Sequence, residues 1–190
     1  MQGLSADRQA HVMRLQRVHE HRAMPWANGR GTSLEVARGG CDDWSWRVAI
    51  APVVEDGPFS VLPGVDRWLV VMDDAPLNLV VDGAERTARR GEVVAFAGES
   101  TVTANLPAGP TRDCGLMVRR SRASGSMWVA GTGPCEGSVL IAVTDARVRA
   151  EGAEIELATG DALVGDIVTC CIDVLAGSVA VVRAGSAESG

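Results

Sequence analysis

Carboxylates and arginines, more than histidines or cysteines, carry the chemical signals in this chain. The three histidines, His11, His19 and His21, all lie near the N-terminus. His19 and His21 have His-x-His spacing, and alternate residues of a strand share a face. No later histidine completes a metal set, so the remaining ligands would have to come from Glu35, Asp or Cys in a geometry the spacing does not announce. No metal and no cofactor are expected. The five cysteines, Cys41, Cys114, Cys135, Cys170 and Cys171, show no Cys-x-x-Cys spacing. Adjacent Cys170 and Cys171 would point to opposite faces of a strand, so buried free thiols are the simplest reading. There is no Gly-x-Ser-x-Gly elbow, and the histidines are too clustered to suggest a triad.

Alternation along Trp44-Ser45-Trp46-Arg47-Val48-Ala49-Ile50 places both tryptophans, Val48 and Ile50 on one face. Arg47 then shares the other face with Ser45 and Ala49. An arginine flanked by small residues in mid-strand faces either solvent or a cavity, and in a cavity its guanidinium is a carboxylate clamp. Arg67 shares a face with Leu69 and Val71, an apolar set that calls for a counter-charge. Glu35, Asp113 or a ligand could supply it, and a structural ion pair is the plainer alternative. Asp113, Gly115 and Met117 share a face on which Gly115 leaves room for close approach, or else marks a bulge. Met24-Pro25-Trp26-Ala27-Asn28-Gly29 joins a residue with fixed φ to a turn that tolerates positive φ. It reads equally as a ligand-binding loop offering the Asn28 amide and as a β-turn held by Trp26. Phe59, in Asp56-Gly57-Pro58-Phe59-Ser60, follows a turn and could cover a barrel mouth.

The elements that must position these residues read almost entirely as strands. Short runs of Val, Leu, Ile and Trp recur about every ten residues between Gly, Pro, Asp and Asn. Within them lies a repeat. Asp82-Gly83-Ala84-Glu85 followed by Gly91-Glu92 matches Glu151-Gly152-Ala153-Glu154 followed by Gly160-Asp161 at the same spacing. In the ungapped register Val70-Val71-Met72 aligns with Val139-Leu140-Ile141, and Leu106 with Leu175. A Gly-[Asp/Glu] turn before an apolar strand is a feature of the small antiparallel barrels called cupins. The expected fold is therefore all-β: a bicupin of two antiparallel barrel or jelly-roll lobes packed together. The division is residues 1–120, a first lobe with an N-terminal extension, and 127–190, a smaller second lobe with which the N-terminal strands could also pair. The polar stretch Ser121–Ser126 reads as the linker.

With 190 residues, 46% of them hydrophobic, the chain can bury a sizeable core. It has no apolar run long enough to span a bilayer, no signal-peptide pattern and no basic amphipathic helix, so a cytoplasmic protein without membrane contact is expected. A formal net charge of −6 argues against nucleic acid. The one dense basic cluster, Arg119-Arg120-Ser121-Arg122, reads as a solvated strand end.

Taken in order, Pro25-Trp26-Ala27-Asn28-Gly29, Ser33-Leu34-Glu35-Val36, Trp46-Arg47-Val48-Ala49-Ile50-Ala51, Asp56-Gly57-Pro58-Phe59-Ser60, Pro63-Gly64-Val65-Asp66-Arg67 and Asp113-Cys114-Gly115-Leu116-Met117-Val118-Arg119-Arg120 resemble the HutD/Ves family. The resemblance covers about the first two-thirds of the chain. It implies a metal-free bicupin associated with bacterial histidine utilisation, which would restrain or tune that pathway by binding an intermediate such as formylglutamate or urocanate. The family pattern has Lys where this chain has Ala27, Gly at Arg30, Arg at Leu34 and Phe-Asn at Cys114-Gly115, so donors for an anion differ here. The reading is a small-molecule binding protein with a regulatory role. Arg47 and Arg67 would engage a carboxylate, Asn28, Glu35 and Asp113 would supply polar contacts, and Trp26, Phe59 and Met117 would form walls. The alternative is a metal-independent isomerase or lyase with Glu35 or Asp113 as general base. A third reading makes the second lobe a homodimer surface.

Overall fold

The structure, a computed structural model, describes residues 13–26, 31–41, 43–165 and 172–186. Apart from a 3-10 turn at Val18–Glu20, every regular element among them is a strand. The first are β1 (Arg14–Gln16), β2 (Arg22–Pro25), β3 (Thr32–Gly39), β4 (Trp46–Val53), β5 (Gly57–Pro58) and β6 (Val65–Val71). β7 (Leu77–Val81), β8 (Ala84–Ala88), β9 (Val93–Ala97), β10 (Val102–Asn105), β11 (Thr111–Arg119) and β12 (Ala123–Ala130) follow. The last are β13 (Gly133–Cys135), β14 (Val139–Ala142), β15 (Ala146–Ala150), β16 (Ala153–Leu157), β17 (Ala162–Val164), β18 (Ile172–Ala176) and β19 (Val179–Ser186).

They form four antiparallel sheets. A six-stranded sheet ordered β2-β3-β4-β11-β6-β9 and a four-stranded sheet β5-β10-β7-β8 make the first lobe. A five-stranded sheet β1-β17-β14-β19-β12 and a four-stranded sheet β13-β18-β15-β16 make the second. Three apolar clusters show how they stack. Leu69 and Val71 meet Leu77, Leu79 and Val102 inside the first lobe. Leu140, Leu163 and Val181 meet Val148, Ile172 and Val174 inside the second. Between the lobes, Val48, Ile50, Val70, Leu116 and Val118 pack on Met127, Val139, Ile141, Ala180 and Val182. The central strands therefore bury both faces: all four residues of β14 are buried, the pattern of a strand with apolar layers on either side.

The repeat is visible in the backbone. Asp82 and Gly83 have φ of 50° and 84°, and Glu151 and Gly152 of 51° and 81°. Two successive positive-φ residues make the tight turn whose twist suits a β-hairpin. The acid of each Gly-acid turn caps its own turn: Glu92 Oε2 accepts from Arg89 N at 2.9 Å and Asp161 Oδ2 from Ala158 N at 3.0 Å. The ungapped register does not hold upstream. Gly91 N donates to Val71 O and Gly160 N to Ala142 O, each at 2.9 Å, so Val71 corresponds to Ala142 and not to Leu140. The connection after β14 is two residues shorter than that after β6. An even shift keeps each side chain on its face.

Two further expectations change. The stretch Ser121–Ser126 contributes only a turn before β12 begins at Ala123, whose side chain is buried. Gly125 serves close packing, since a Cβ there would lie 2.8 Å from Val118 Cγ2. Trp44 precedes β4 and so escapes the alternation assigned to it.

The N-terminal segment straps the lobes together. β1 pairs with β17 of the second lobe, and β2 pairs with β3 of the first. Between them, Asp161 accepts from Arg17 Nη1 at 2.8 Å and from Val18 N at 2.9 Å, and His21 Nε2 lies 2.8 Å from Gly160 O. Burial pushes the Asp161 carboxyl up, but the hydrogen bonds from Arg17, Val18 and Ala158 outweigh it and hold the group below the usual range. Its contribution is thus present above the ordinary aspartate pKa and lost as pH falls through the lowered value. Asp161→Ala is expected to cost about 2–4 kcal/mol in chemical denaturation at pH 7. Glu92→Ala, which removes only an exposed cap, should cost about 1 kcal/mol or less. Equal losses would contradict the strap.

Candidate functional site

β11 lies between β4 and β6 and sets the register of the site. Met117 is the cross-strand partner of both Arg47 and Arg67, and Phe96 on β9 is the partner of Arg67. Paired residues of an antiparallel sheet point to the same side, so Arg47, Met117, Arg67 and Phe96 form one row. With strands about 4.8 Å apart, the two arginines leave the backbone roughly 10 Å from one another. Gly115, between Ala49 and Leu69, and Asp113, between Ala51 and Val71, continue the same face. Its far end, with Val53, Leu69 and Val71, is sealed by the four-stranded sheet.

Over the remainder lies a cavity of about 290 Å³, roofed by the segment from Val54 to Leu62. Arg47, Arg67, Asp113, Met117, Phe59 and Trp26, all singled out from the sequence, line it. Ser33, whose Oγ accepts from Trp26 Nε1 at 2.7 Å, and Phe96 also line it and were missed. Glu35 is buried but is not on the cavity wall. Its Oε1 lies 3.9 Å from Arg38 Nε, and its charge favours the charged form of Arg47. Leu34 pairs with Ile50 and packs toward the interlobe core, so the exchange at that position removes no donor from the cavity. Gly115 does face the cavity. Asn28, with Ala27 and Arg30, lies outside the described residues, as do His11, Cys170 and Cys171.

Neither site arginine has a carboxylate within 4.0 Å among the described residues. Arg67 sits instead between two phenyl rings, its Cζ 5.3 Å from the Phe59 centroid and 5.0 Å from that of Phe96, a cation–π arrangement. Its Nη1 donates to Ser60 O at 3.1 Å. Arg47 lies over Trp44, 5.3 Å from the ring centroid, and its Nε is buried without a hydrogen-bond partner. Burial lowers the basicity of both; Glu35 acts against this at Arg47 and Asp113 at Arg67. A guanidinium nevertheless stays charged. Burial is also the main influence on Asp113, raising its carboxyl to about 7, with Arg67 pulling only part of the way back. Near neutrality the cavity therefore offers two fixed cations and, in Asp113, a carboxyl that can be proton donor or acceptor, with Glu55 and Asp56 on the same lining.

Asp113 carries a stability signature. A folded-state pKa above the unfolded one leaves stability complete below the ordinary aspartate range and erodes it as pH rises toward 7. Asp113→Asn should therefore exceed the wild type in stability at pH 8 by up to about 4 kcal/mol. The difference should vanish near pH 3. Denaturation curves showing the variant less stable at pH 8 would contradict the assignment.

Comparison with known proteins agrees with this architecture. The HutD family model matches residues 18–179. The chain is 34% identical over 125 residues to an uncharacterised 21.2 kDa protein in the hutC 3′ region of Pseudomonas putida, a match covering 63% of this chain and 66% of that one. It is 34% identical over 131 residues to protein Ves of Cronobacter sakazakii, covering 64% and 71%. The matched part thus spans about two-thirds of these relatives. The structure of HutD from Pseudomonas fluorescens SBW25 (formate condition) superposes with a TM-score of 0.78 at 27% identity, over 93% of this chain and 100% of that one. At the level of fold alone, a cupin 2 conserved barrel domain protein from Leptotrichia buccalis superposes with a TM-score of 0.54 at 5% identity, covering 82% and 88%. With its repeated antiparallel lobes and a family match that extends through both of them, the chain belongs to the HutD family of cupin-like proteins.

Proposed function

We propose that this protein binds a small carboxylate metabolite in the first-lobe cavity, without a metal, and thereby tunes histidine utilisation. The observation that carries the reading is the row Arg47-Met117-Arg67, two cations facing a cavity with no carboxylate partner of their own among the described residues. Taking a guanidinium out of water is costly unless an anion compensates it, and a ligand carboxylate can accept two parallel hydrogen bonds from its fork. Met117, Phe59 and Phe96 supply apolar walls for the carbon skeleton. The pathway assignment rests on the family and on the hutC-region relative; formylglutamate and urocanate are the candidates to try first.

A second reading, a metal-independent isomerase or lyase, is favoured by Asp113 alone, whose carboxyl near 7 suits general acid–base work. Glu35 lies off the cavity lining and reaches the site only through its effect on Arg47. Turnover of urocanate or formylglutamate that disappears in Asp113→Asn would support this reading over simple binding.

The binding reading is tested by calorimetry with formylglutamate and urocanate. Arg47→Ala and Arg67→Ala should each lose at least about tenfold in affinity, since a charge-assisted hydrogen bond contributes about 1.5–3 kcal/mol. The variants should keep a cooperative thermal transition. Arg67→Lys should recover only part of the loss, because an ammonium lacks the planar fork. Unchanged affinity in both alanine variants, measured on folded protein, would overturn the reading.

A further inference from the structure

Asp113 and Arg67 share one cavity without forming an ion pair, and this arrangement has a thermodynamic consequence. Gly115 sits between them on the face. A Cβ built there would lie 3.7 Å from Asp113 Oδ1, so the carboxyl leans over the glycine toward the arginine row. The side chain is 7% exposed, and Arg67 is the charged group that most affects it. The other charged groups lining the cavity are Arg47 from β4 and Glu55 and Asp56 from the roof segment. The Asp56 carboxylate is engaged by Leu106 N at 2.8 Å. From β6 the cavity face carries Arg67, Leu69 and Val71, leaving Arg67 as the one charge on that side. Arg112, next in sequence to Asp113, is committed to Asp73 by hydrogen bonds of 2.6 to 3.2 Å.

We infer that the cavity takes up its carboxylate together with a proton on Asp113, so that binding weakens as pH rises above neutrality. The inference rests on the carboxylate-binding reading given above. Without ligand, Arg67 is the cation that acts most strongly on a charged Asp113, and among the described residues it is held by two phenyl rings and the Ser60 carbonyl and not by another anion. A ligand carboxylate arriving at Arg67 uses that same positive charge. The ligand carboxylate and Asp113 would then draw on the same guanidinium, with Arg47 reaching the ligand from across Met117, and two carboxylates this close disfavour their simultaneous ionisation. The ligand, a carboxylate in water, stays ionised, and the proton goes to Asp113. In the acid form the Asp113 O–H can donate to the ligand, which the ionised form cannot do. The empty site is poised to titrate close to pH 7, so uptake of this proton falls within the physiological range. By linkage, affinity is highest where Asp113 is already protonated. It then falls up to tenfold per pH unit above the empty-site value, until the bound form also ionises.

The test is calorimetry of the full chain with formylglutamate from pH 6 to 9, run at each pH in phosphate and in Tris, whose different ionisation heats count the protons exchanged. The expected result is uptake of a fraction of a proton rising toward one above pH 7, with a matching loss of affinity. Asp113→Asn, neutral throughout, should show no uptake and a flat affinity, and should bind more tightly than the wild type at pH 8.5. Carboxyl ¹³C chemical shifts give a readout that does not depend on the variant folding. The Asp113 resonance of the wild type should titrate near 7 when empty and at higher pH with ligand present. Binding that is independent of pH and of buffer, with an Asp113 shift unmoved by ligand, would overturn proton coupling and leave the binding reading standing. Absence of binding at every pH would overturn both.

Discussion

The back-to-back packing of the six-stranded and five-stranded sheets is the constraint on which the rest of this molecule depends. Val48, Ile50, Val70 and Leu116 from one sheet and Val139, Ile141, Ala180 and Val182 from the other are almost completely removed from water. At about 25 cal/mol per Å² of apolar surface, an interface of this kind is a large stabilising term. Once it is made, each large sheet has one remaining face, which its lobe must cover separately. In the second lobe, Leu140, Leu163 and Val181 meet the small sheet in a continuous apolar layer. In the first, the small sheet packs directly on the end around Leu69 and Val71. Over the remainder, β5 and its flanking segment leave a cavity, and there the arginine row stands.

Electrostatics distinguish that row from several arginines elsewhere on the molecule. Arg112 meets Asp73, Arg120 meets Asp66 and Arg17 meets Asp161 at 2.6 to 2.8 Å. Arg67 and Arg47 are held instead by aromatic faces, which attract a cation without neutralising it. Asp113 stands nearby and is buried, and that burial raises its carboxyl to about 7. Among the described residues, a cation facing the cavity without an anion and a carboxyl without a cation within bonding distance leave an incomplete electrostatic set, which the proposed ligand would complete.

The two lobes share one turn pattern and differ in what they do with it. Both keep the positive-φ hairpin and the self-capping acid of the Gly-acid turn. Only the second lobe's acid, Asp161, is also recruited by the N-terminal strap, through Arg17 and Val18. That strap continues into β2 and β3 and so to Trp26 and Ser33 on the cavity wall. One lobe thus anchors the segment that completes the site in the other. The curated relatives match about two-thirds of the chain, whereas the HutD structure superposes on 93% of it.

Local pattern was enough for much of this. Period-two alternation placed Arg47 with Ala49, Arg67 with Leu69, and Asp113 with Gly115 and Met117 on single faces, because successive side chains of a strand must point to opposite sides. Fixed spacing of Gly and acidic residues revealed the repeat, because a positive-φ turn can be built by few residue types. Where strands begin was harder to read: Trp44 alternates in sequence but precedes β4, and Ser124-Gly125-Ser126 looks like a linker but is strand. Across strands the sequence is silent. Nothing local says that Phe96 is the partner of Arg67, that Met117 stands between the two arginines, that Leu34 faces the other lobe or that Glu35 stays off the cavity wall. Those facts depend on sheet order and register, which are decided by long-range burial of apolar faces. The sequence by itself therefore determined which side chains could share a face, and only the tertiary structure decided which faces meet. The state of Asp113 belongs to the second kind, because a carboxyl's pKa depends on the water and charge around it, and both are supplied by strands distant in the chain.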